Sequence, residues 1–311
     1  MLKTFAVSLL GLVATCTLAQ EPAGMKPVGI LGAISGTGAY PAVAESVANL
    51  RTATLYHPQH LPRKALPLLL WGNGGCRDNG QQYAQFLREV ASQGYFVIAP
   101  GYPLGEGRLQ PPGSVPLPPE PEGGKTHSSQ LLAAIDWATQ ANRDPNSPFK
   151  GHIDVSRVGV MGSSCGGLQA IAVATDPRVK TSIAFNSGVL LAFPPGAGPG
   201  SDLVIGKDAL TKLQGPIAYI NGGPTDMAYL NALDDLRLIT HVPVFFGENG
   251  VGHSGTYFLD EHGGSYARMA TAWMNWQLKG DAKAARWFRG ADCTLCTRPG
   301  WSVKKKQFYG E

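Results

Sequence analysis

Charge is scarce in this chain. Of its 311 residues only 15% are Asp, Glu, Lys or Arg, and they balance to a formal +4. A surplus that small implies no nucleic-acid or anionic-membrane partner. The basic cluster Lys304-Lys305-Lys306 lies near the C-terminus and reads as a solvated tail. Long apolar runs are also missing. Nothing approaches the ~18–20 residues needed to cross a bilayer, so no membrane span is expected in the mature protein. There is no Asn-x-Ser/Thr sequon, so N-glycosylation is not expected. No internal repeat and no linker divides the chain. Glycine and proline number 40 and 24, about a fifth of the residues, below the roughly 25–30% that marks low complexity.

What is present begins with an export signal. Lys3 makes a short positive region, 5–13 is apolar, and Thr17-Leu18-Ala19 offers a small-residue cleavage site before Gln20. The competing readings are an N-terminal anchor helix, for which the apolar run is shorter than the ~18–20 residues a bilayer needs, and a lipoprotein anchored at Cys16, for which Thr15 stands where Gly or Ala is expected. Residues 1–19 are therefore read as a signal peptide and 20–311 as one domain of a secreted, extracellular protein. Cleavage removes only Lys3 and lowers the charge from +4 to +3. Four cysteines remain: Cys76, Cys165, Cys293 and Cys296. An even number in an exported chain favours two disulfides over free thiols or a metal site. The Cys293–Cys296 CxxC lacks both a thioredoxin-like context and a second ligand pair, so a structural disulfide is preferred to redox or zinc chemistry. No metal and no other cofactor is expected.

The remainder, 43% hydrophobic, alternates strand-like and helix-like runs, the pattern of an α/β domain. The continuous apolar runs 66–71 (LPLLLW) and 95–100 (YFVIAP) suit strands covered on both faces. Strands are also predicted at 158–161, 179–186, 217–221 and 242–247. Helices are predicted at 81–92, 128–141, 167–174, 229–239, 266–278 and 282–288. Two Pro/Gly-rich loops, 101–124 and 191–202, interrupt the series.

The chemistry concentrates in 157–170, RVGVMGSSCGGLQA. An apolar strand runs into Gly162-Ser163-Ser164-Cys165-Gly166, and a helix follows, which is G-x-S-x-G in the context that motif needs. Ser163 occupies the x position, so Ser164 is the candidate nucleophile, and the next backbone N–H, that of Cys165, is a candidate oxyanion donor. A serine hydroxyl needs a base, and the base an orienting acid. Downstream there are three histidines: His241, His253 and His262. His253, in Gly250-Val251-Gly252-His253-Ser254-Gly255 just past the last predicted strand, is the candidate base, with His262 as the alternative. Asp226, following 216–223 (PIAYINGG), is the candidate acid. Asp234 and Asp235 fall within a helical stretch and are read as solvent-facing.

These segments resemble a known group, the secreted α/β-hydrolases related to dienelactone hydrolases, chlorophyllases and polyester hydrolases. The marks are SGTGAYPAV, WGNGGC, GSSCGG, FNSG at 185–188, GGPTD, GHSGTY and WQLKGD at 276–281, and they span nearly the whole mature chain. The resemblance implies a central, mostly parallel eight-stranded sheet with helices on both faces and no separate cap domain. It also implies that the two Pro/Gly-rich loops rim the pocket. Asn73-Gly74-Gly75 stands where related enzymes carry His-Gly-x, which assigns the second oxyanion donor to Gly75, with Cys76 next in line. If Gly75 and Cys165 donate to one oxyanion, the neighbouring Cys76 and Cys165 side chains start close together, and a disulfide between them is expected. Two small buried thiols are the alternative.

The function expected from this reading is hydrolysis of carboxylic esters, small or polymeric, through a Ser164–His253–Asp226 triad and an acyl-enzyme. An acyltransferase or cyclase would use the same triad with another acceptor. A non-catalytic binding protein on the same scaffold is disfavoured by the intact Ser, Asp and His. A peptidase is disfavoured because no added propeller or cap domain is evident.

Overall fold

A computed structural model describes residues 24–107, 124–192 and 205–308. The leader at 1–19 and most of both Pro/Gly-rich loops lie outside the described residues.

The continuous apolar runs become strands that feed two cores at once. In β4 (Leu66–Gly72), Leu66, Leu68 and Leu70 pack into one buried cluster while Leu69 and Trp71 pack into another. Successive strand residues point to opposite faces, so a run with no polar interruption is what a doubly covered strand requires. The same split recurs in β5 (Phe96–Pro100), where Phe96 and Ile98 face one way and Val97 and Ala99 the other. It recurs again in β6 (Ile153–Ser163), β7 (Val179–Phe185), β8 (Ile217–Asn221) and β9 (Val244–Glu248).

Helices cover both faces. The apolar stripes of α1 (Ala84–Ser92) and α5 (Gly264–Lys279) belong to the Trp71 cluster. Those of α2 (Ser128–Arg143), α3 (Cys165–Val173) and α4 (Tyr229–Leu238) belong to the Leu68 cluster. Helix α5 stops at Gly280, whose φ of 68° makes a left-handed cap that a side chain would resist. The short α6 (Ala282–Ala285) follows, with the Asp281 carboxylate capping the N–H groups of Lys283 and Ala284. No helix among the described residues is long and apolar enough to cross a membrane.

The fold is that of an α/β hydrolase, and among the described residues one sheet holds ten strands in place of the eight expected. The order is β1-β2-β3-β5-β4-β6-β7-β8-β9-β10. Strands β5, β4, β6, β7, β8 and β9 pair in parallel. An antiparallel meander, β1 (Gly29–Ser35), β2 (Ala42–Ser46) and β3 (Ala53–Pro58), extends one side.

The other side ends in β10 (Ser302–Lys306), antiparallel to β9 with Lys304 opposite Phe246. The lysine cluster is therefore an edge strand and not a solvated tail. Lysines suit an edge because they deter further strand addition. They are also tied down here: Lys305 Nζ donates to the Gly290 carbonyl at 2.7 Å. Lys306 Nζ reaches the Leu236 and Arg237 carbonyls at the end of α4, where a helix favours positive charge.

Candidate active site

Parallel strands deliver their C-terminal ends to one edge, and in such sheets that edge is where ligands bind. Strand β4 ends at the Gly74–Cys76 turn, β6 at Ser164, β7 at Asn186, β8 before Asp226 and β9 before His253. Since β4, β6, β7, β8 and β9 are spatial neighbours in that order, these five points fall in a row.

Ser164 sits between strand and helix with φ 53° and ψ −120°, a strained backbone for a residue with a Cβ. The glycines beside it are required by contact. A Cβ on Gly162 would lie 2.0 Å from the Gly166 carbonyl oxygen, and one on Gly166 would lie 2.1 Å from Gly72. The strained turn is held by Ser164 N–H donating to Phe185 O at 2.9 Å, and by Ser187 Oγ donating to Ser164 O at 2.7 Å. Ser163 is buried at the end of β6, 2% exposed.

His253 Nε2 lies 2.9 Å from Ser164 Oγ, and His253 Nδ1 lies 2.6 Å from Asp226 Oδ1. An ionised carboxylate can only accept, which places the proton on Nδ1 and leaves the Nε2 lone pair facing the serine hydroxyl. The other two histidines lie elsewhere. His241 Nε2 is 3.0 Å from the Leu213 carbonyl, and His262 faces Glu89 and Glu261.

Asp226 is 3% exposed. Burial works against its ionisation, but four donors outweigh burial and hold the carboxyl below its usual range: His253, the Ala228 N–H, Asn186 Nδ2 and the Gly222 N–H.

The turn after β4 has Gly75 at φ 65° and Cys76 at φ 50°. The Cys76 N–H already donates to Asn73 O at 3.0 Å, so Gly75 is the better candidate donor on that side. Where a histidine was the expected residue type, the buried Asn73 amide reaches three carbonyls, those of Arg77, Asn79 and Pro100, at 2.8–3.1 Å. That pins the loop from inside. Gln169, on the helix that follows Ser164, donates to Thr126 O at 2.7 Å, and Thr126 N–H donates to Cys76 O at 2.8 Å.

The Cys76 and Cys165 sulfurs lie at disulfide distance with Cα atoms 5.2 Å apart, as do those of Cys293 and Cys296 at 4.9 Å. Peptide mapping without reduction is expected to recover a linked Cys76/Cys165 peptide. Such a link would span 89 residues of chain, and its removal in Cys76→Ala/Cys165→Ala should cost up to about 4–5 kcal/mol by chain entropy. Free, alkylatable thiols at both positions in the native protein would reject the link.

Asp235 corrects the sequence reading. It is fully buried and not solvent-facing. Its carboxylate accepts from Val189 N–H at 2.7 Å, Lys207 Nζ at 2.6 Å and Tyr219 OH at 3.1 Å. Burial pushes its pKa up to about 6 against the opposing pull of Lys207. Asp234 beside it is partly exposed and pairs with Lys207 and Arg237. Through Val189, Asp235 anchors the segment 187–190 that walls the site. Asn186 and Ser187 were noted in the sequence only as part of FNSG. Their contacts to Asp226 and Ser164 had no local signature there.

Above these groups lies an open, largely apolar cleft of about 650 Å³. Ser164, His253, Gly75, Cys165, Leu168 and Met227 are among the residues that line it. Met227, the residue after Asp226, is 78% exposed.

No curated protein matches the chain. A family model, PETase, described as PET hydrolase-like, matches residues 121–187, the stretch that carries α2, β6, Ser164, α3, β7 and Asn186, so over that stretch the chain is similar to a polyester-hydrolase-like α/β hydrolase.

Proposed function

We propose that this protein is a secreted serine hydrolase that cleaves carboxylic esters. The observation that carries the reading is the unbroken relay from Ser164 Oγ through His253 to Asp226, at 2.9 and 2.6 Å, with Ser164 and His253 lining an apolar cleft. As the ester carbonyl settles over Ser164, His253 Nε2 takes the hydroxyl proton and Oγ adds to the carbonyl carbon. The oxyanion that forms meets the Gly75 and Cys165 N–H groups, and the positive end of α3 adds to their effect. Collapse expels the alcohol, which takes the proton back from His253. Water then repeats the sequence on the acyl-enzyme and releases the acid. Two cysteine pairs at bonding distance suit an oxidising compartment. The PET hydrolase-like match and the apolar, open cleft favour bulky or polymeric esters over small polar ones.

The test is turnover by purified mature protein of p-nitrophenyl esters of graded chain length, aryl esters and polyester film, with a competing alcohol in parallel. Free acid is the expected main product. Transfer to the alcohol exceeding hydrolysis would reassign the same triad to acyl transfer. A protein that neither turns over any of these esters nor reacts with a fluorophosphonate is not a serine hydrolase.

A further inference from the structure

Strand β7 lies between the strand that ends in the nucleophile and the strand that precedes the acid. Asn186, the first residue beyond β7, is fully buried and carries φ 44°, a backbone region that asparagine enters more readily than other side-chain-bearing residues. Its N–H continues the sheet by donating to Ile220 O at 2.8 Å. Its side-chain Nδ2 lies 2.7 Å from Asp226 Oδ2, 3.1 Å from the Gly252 carbonyl and 3.2 Å from Tyr266 OH. Two of these partners can only accept, so the nitrogen must face them. The flipped amide would set an oxygen against a carboxylate and a carbonyl.

Given the ester-hydrolase reading above, we infer that Asn186 is a positioning residue: one side-chain amide holds the acid Asp226 and the loop carrying the base His253 in a single register. Gly252 is the residue immediately before His253. The same amide therefore fixes the outward oxygen of the acid and the peptide that aims the imidazole. The backbone reinforces this link: Gly252 N–H donates to Gly222 O at 2.8 Å, and Gly222 N–H donates to Asp226 Oδ2 at 3.0 Å. Without the amide, Asp226 keeps the Gly222 and Ala228 donors but can swing about them, and the Gly252 carbonyl loses its side-chain donor.

Asn186→Asp tests this because it keeps shape and tolerance of positive φ while replacing the donor by an acceptor. Asn186→Gly removes the group and permits the same backbone. A hydrogen bond to a charged group is at stake. The kcat per titrated site, and the rate of fluorophosphonate labelling at Ser164, are expected to fall about 10- to 100-fold in both variants, with KM within about threefold. Relative to wild type at the same pH, Asn186→Asp should recover as pH is lowered from 8 to 6, where the introduced carboxyl shares a proton with Asp226. Asn186→Gly should not recover. The far-downfield proton resonance of His253 Nδ1–H should shift or vanish in both variants. An Asn186→Asp protein with wild-type kcat per site, or an unchanged resonance, overturns the assignment. A purely structural role would lower the number of titratable sites and leave kcat per site and the pH trend alone, which also overturns it. The resonance needs no substrate, so it judges Asn186 even if the wild type hydrolyses no ester, the outcome that would sink the ester reading instead.

Discussion

Ser164→Ala is expected to lower kcat about 10⁶-fold on any ester the wild type turns over, the loss that the role proposed for Ser164 as nucleophile implies. The fold should survive, because Ser164 Oγ reaches out to His253 while the strained turn is held by its backbone N–H and carbonyl. Alanine keeps the Cβ that the turn already accommodates, so the melting temperature should change little. A fluorophosphonate should label the wild type and fail on the variant. Ser163→Ala is the contrast: that side chain is buried 2% exposed at the end of β6, so its loss can cost some stability but should leave labelling intact. Residual turnover by Ser164→Ala should stay above the uncatalysed rate, because the proposed oxyanion donors, the Gly75 and Cys165 N–H groups, and the cleft remain. Labelling of Ser164→Ala at the wild-type rate would remove Ser164 from the mechanism.

Much of this site was legible because its parts are local. Ser164, Asp226 and His253 each follow an apolar run of strand length and each has glycine nearby, so the run and the turn together mark a strand end in an α/β sheet. Most of the parallel strands were legible for the same reason, since in β4, β5, β8 and β9 double coverage leaves almost no polar interruption. What escaped the sequence was long-range or weakly patterned. Strands β1 to β3 and β10 lie toward or at the sheet edges, and two of them read as GILGAIS and SVKKK. In these two, glycine and lysine hide the alternation, and most of their side chains are exposed or half-buried. Asp235 looked solvated because it is a charged residue beside Asp234 within a helical stretch. Its partners Val189 and Lys207 lie 46 and 28 residues away. Asn186 is the extreme case, with partners 40, 66 and 80 residues distant. An asparagine in a turn has an adequate local explanation, so nothing in the string of letters asks for another.

Asp226→Asn is expected to be the second most damaging change, lowering kcat about 10⁴-fold. The reason is a count of donors. Oδ1 accepts from His253 Nδ1 and the Ala228 N–H, and Oδ2 accepts from Asn186 Nδ2 and the Gly222 N–H. An amide has one oxygen, so in either orientation two of these four donors face an NH₂ group. If the oxygen stays with Asn186 and Gly222, the NH₂ meets His253 and forces the imidazole into the tautomer with its proton on Nε2, where it cannot take a proton from Ser164. If the oxygen stays with His253, the NH₂ is pressed against the Asn186 amide and the Gly222 N–H. Each abandoned buried donor costs about 1–3 kcal/mol, and one (the Ala228 N–H) or two (Asn186 and Gly222) are abandoned, so the variant should also be about 1–6 kcal/mol less stable. The pH dependence carries a sign that checks the argument. The folded carboxyl sits below its usual 3.8, so its stabilising effect is complete above that value and is lost as pH falls through the depressed folded pKa. The amide cannot titrate. The gap in melting temperature between wild type and Asp226→Asn should therefore be widest near neutrality and shrink as the solution is acidified below the ordinary carboxylate range. A gap that stays constant into strong acid, or a variant with kcat within tenfold of wild type, would show that Asp226 does not act as the ionised partner of His253.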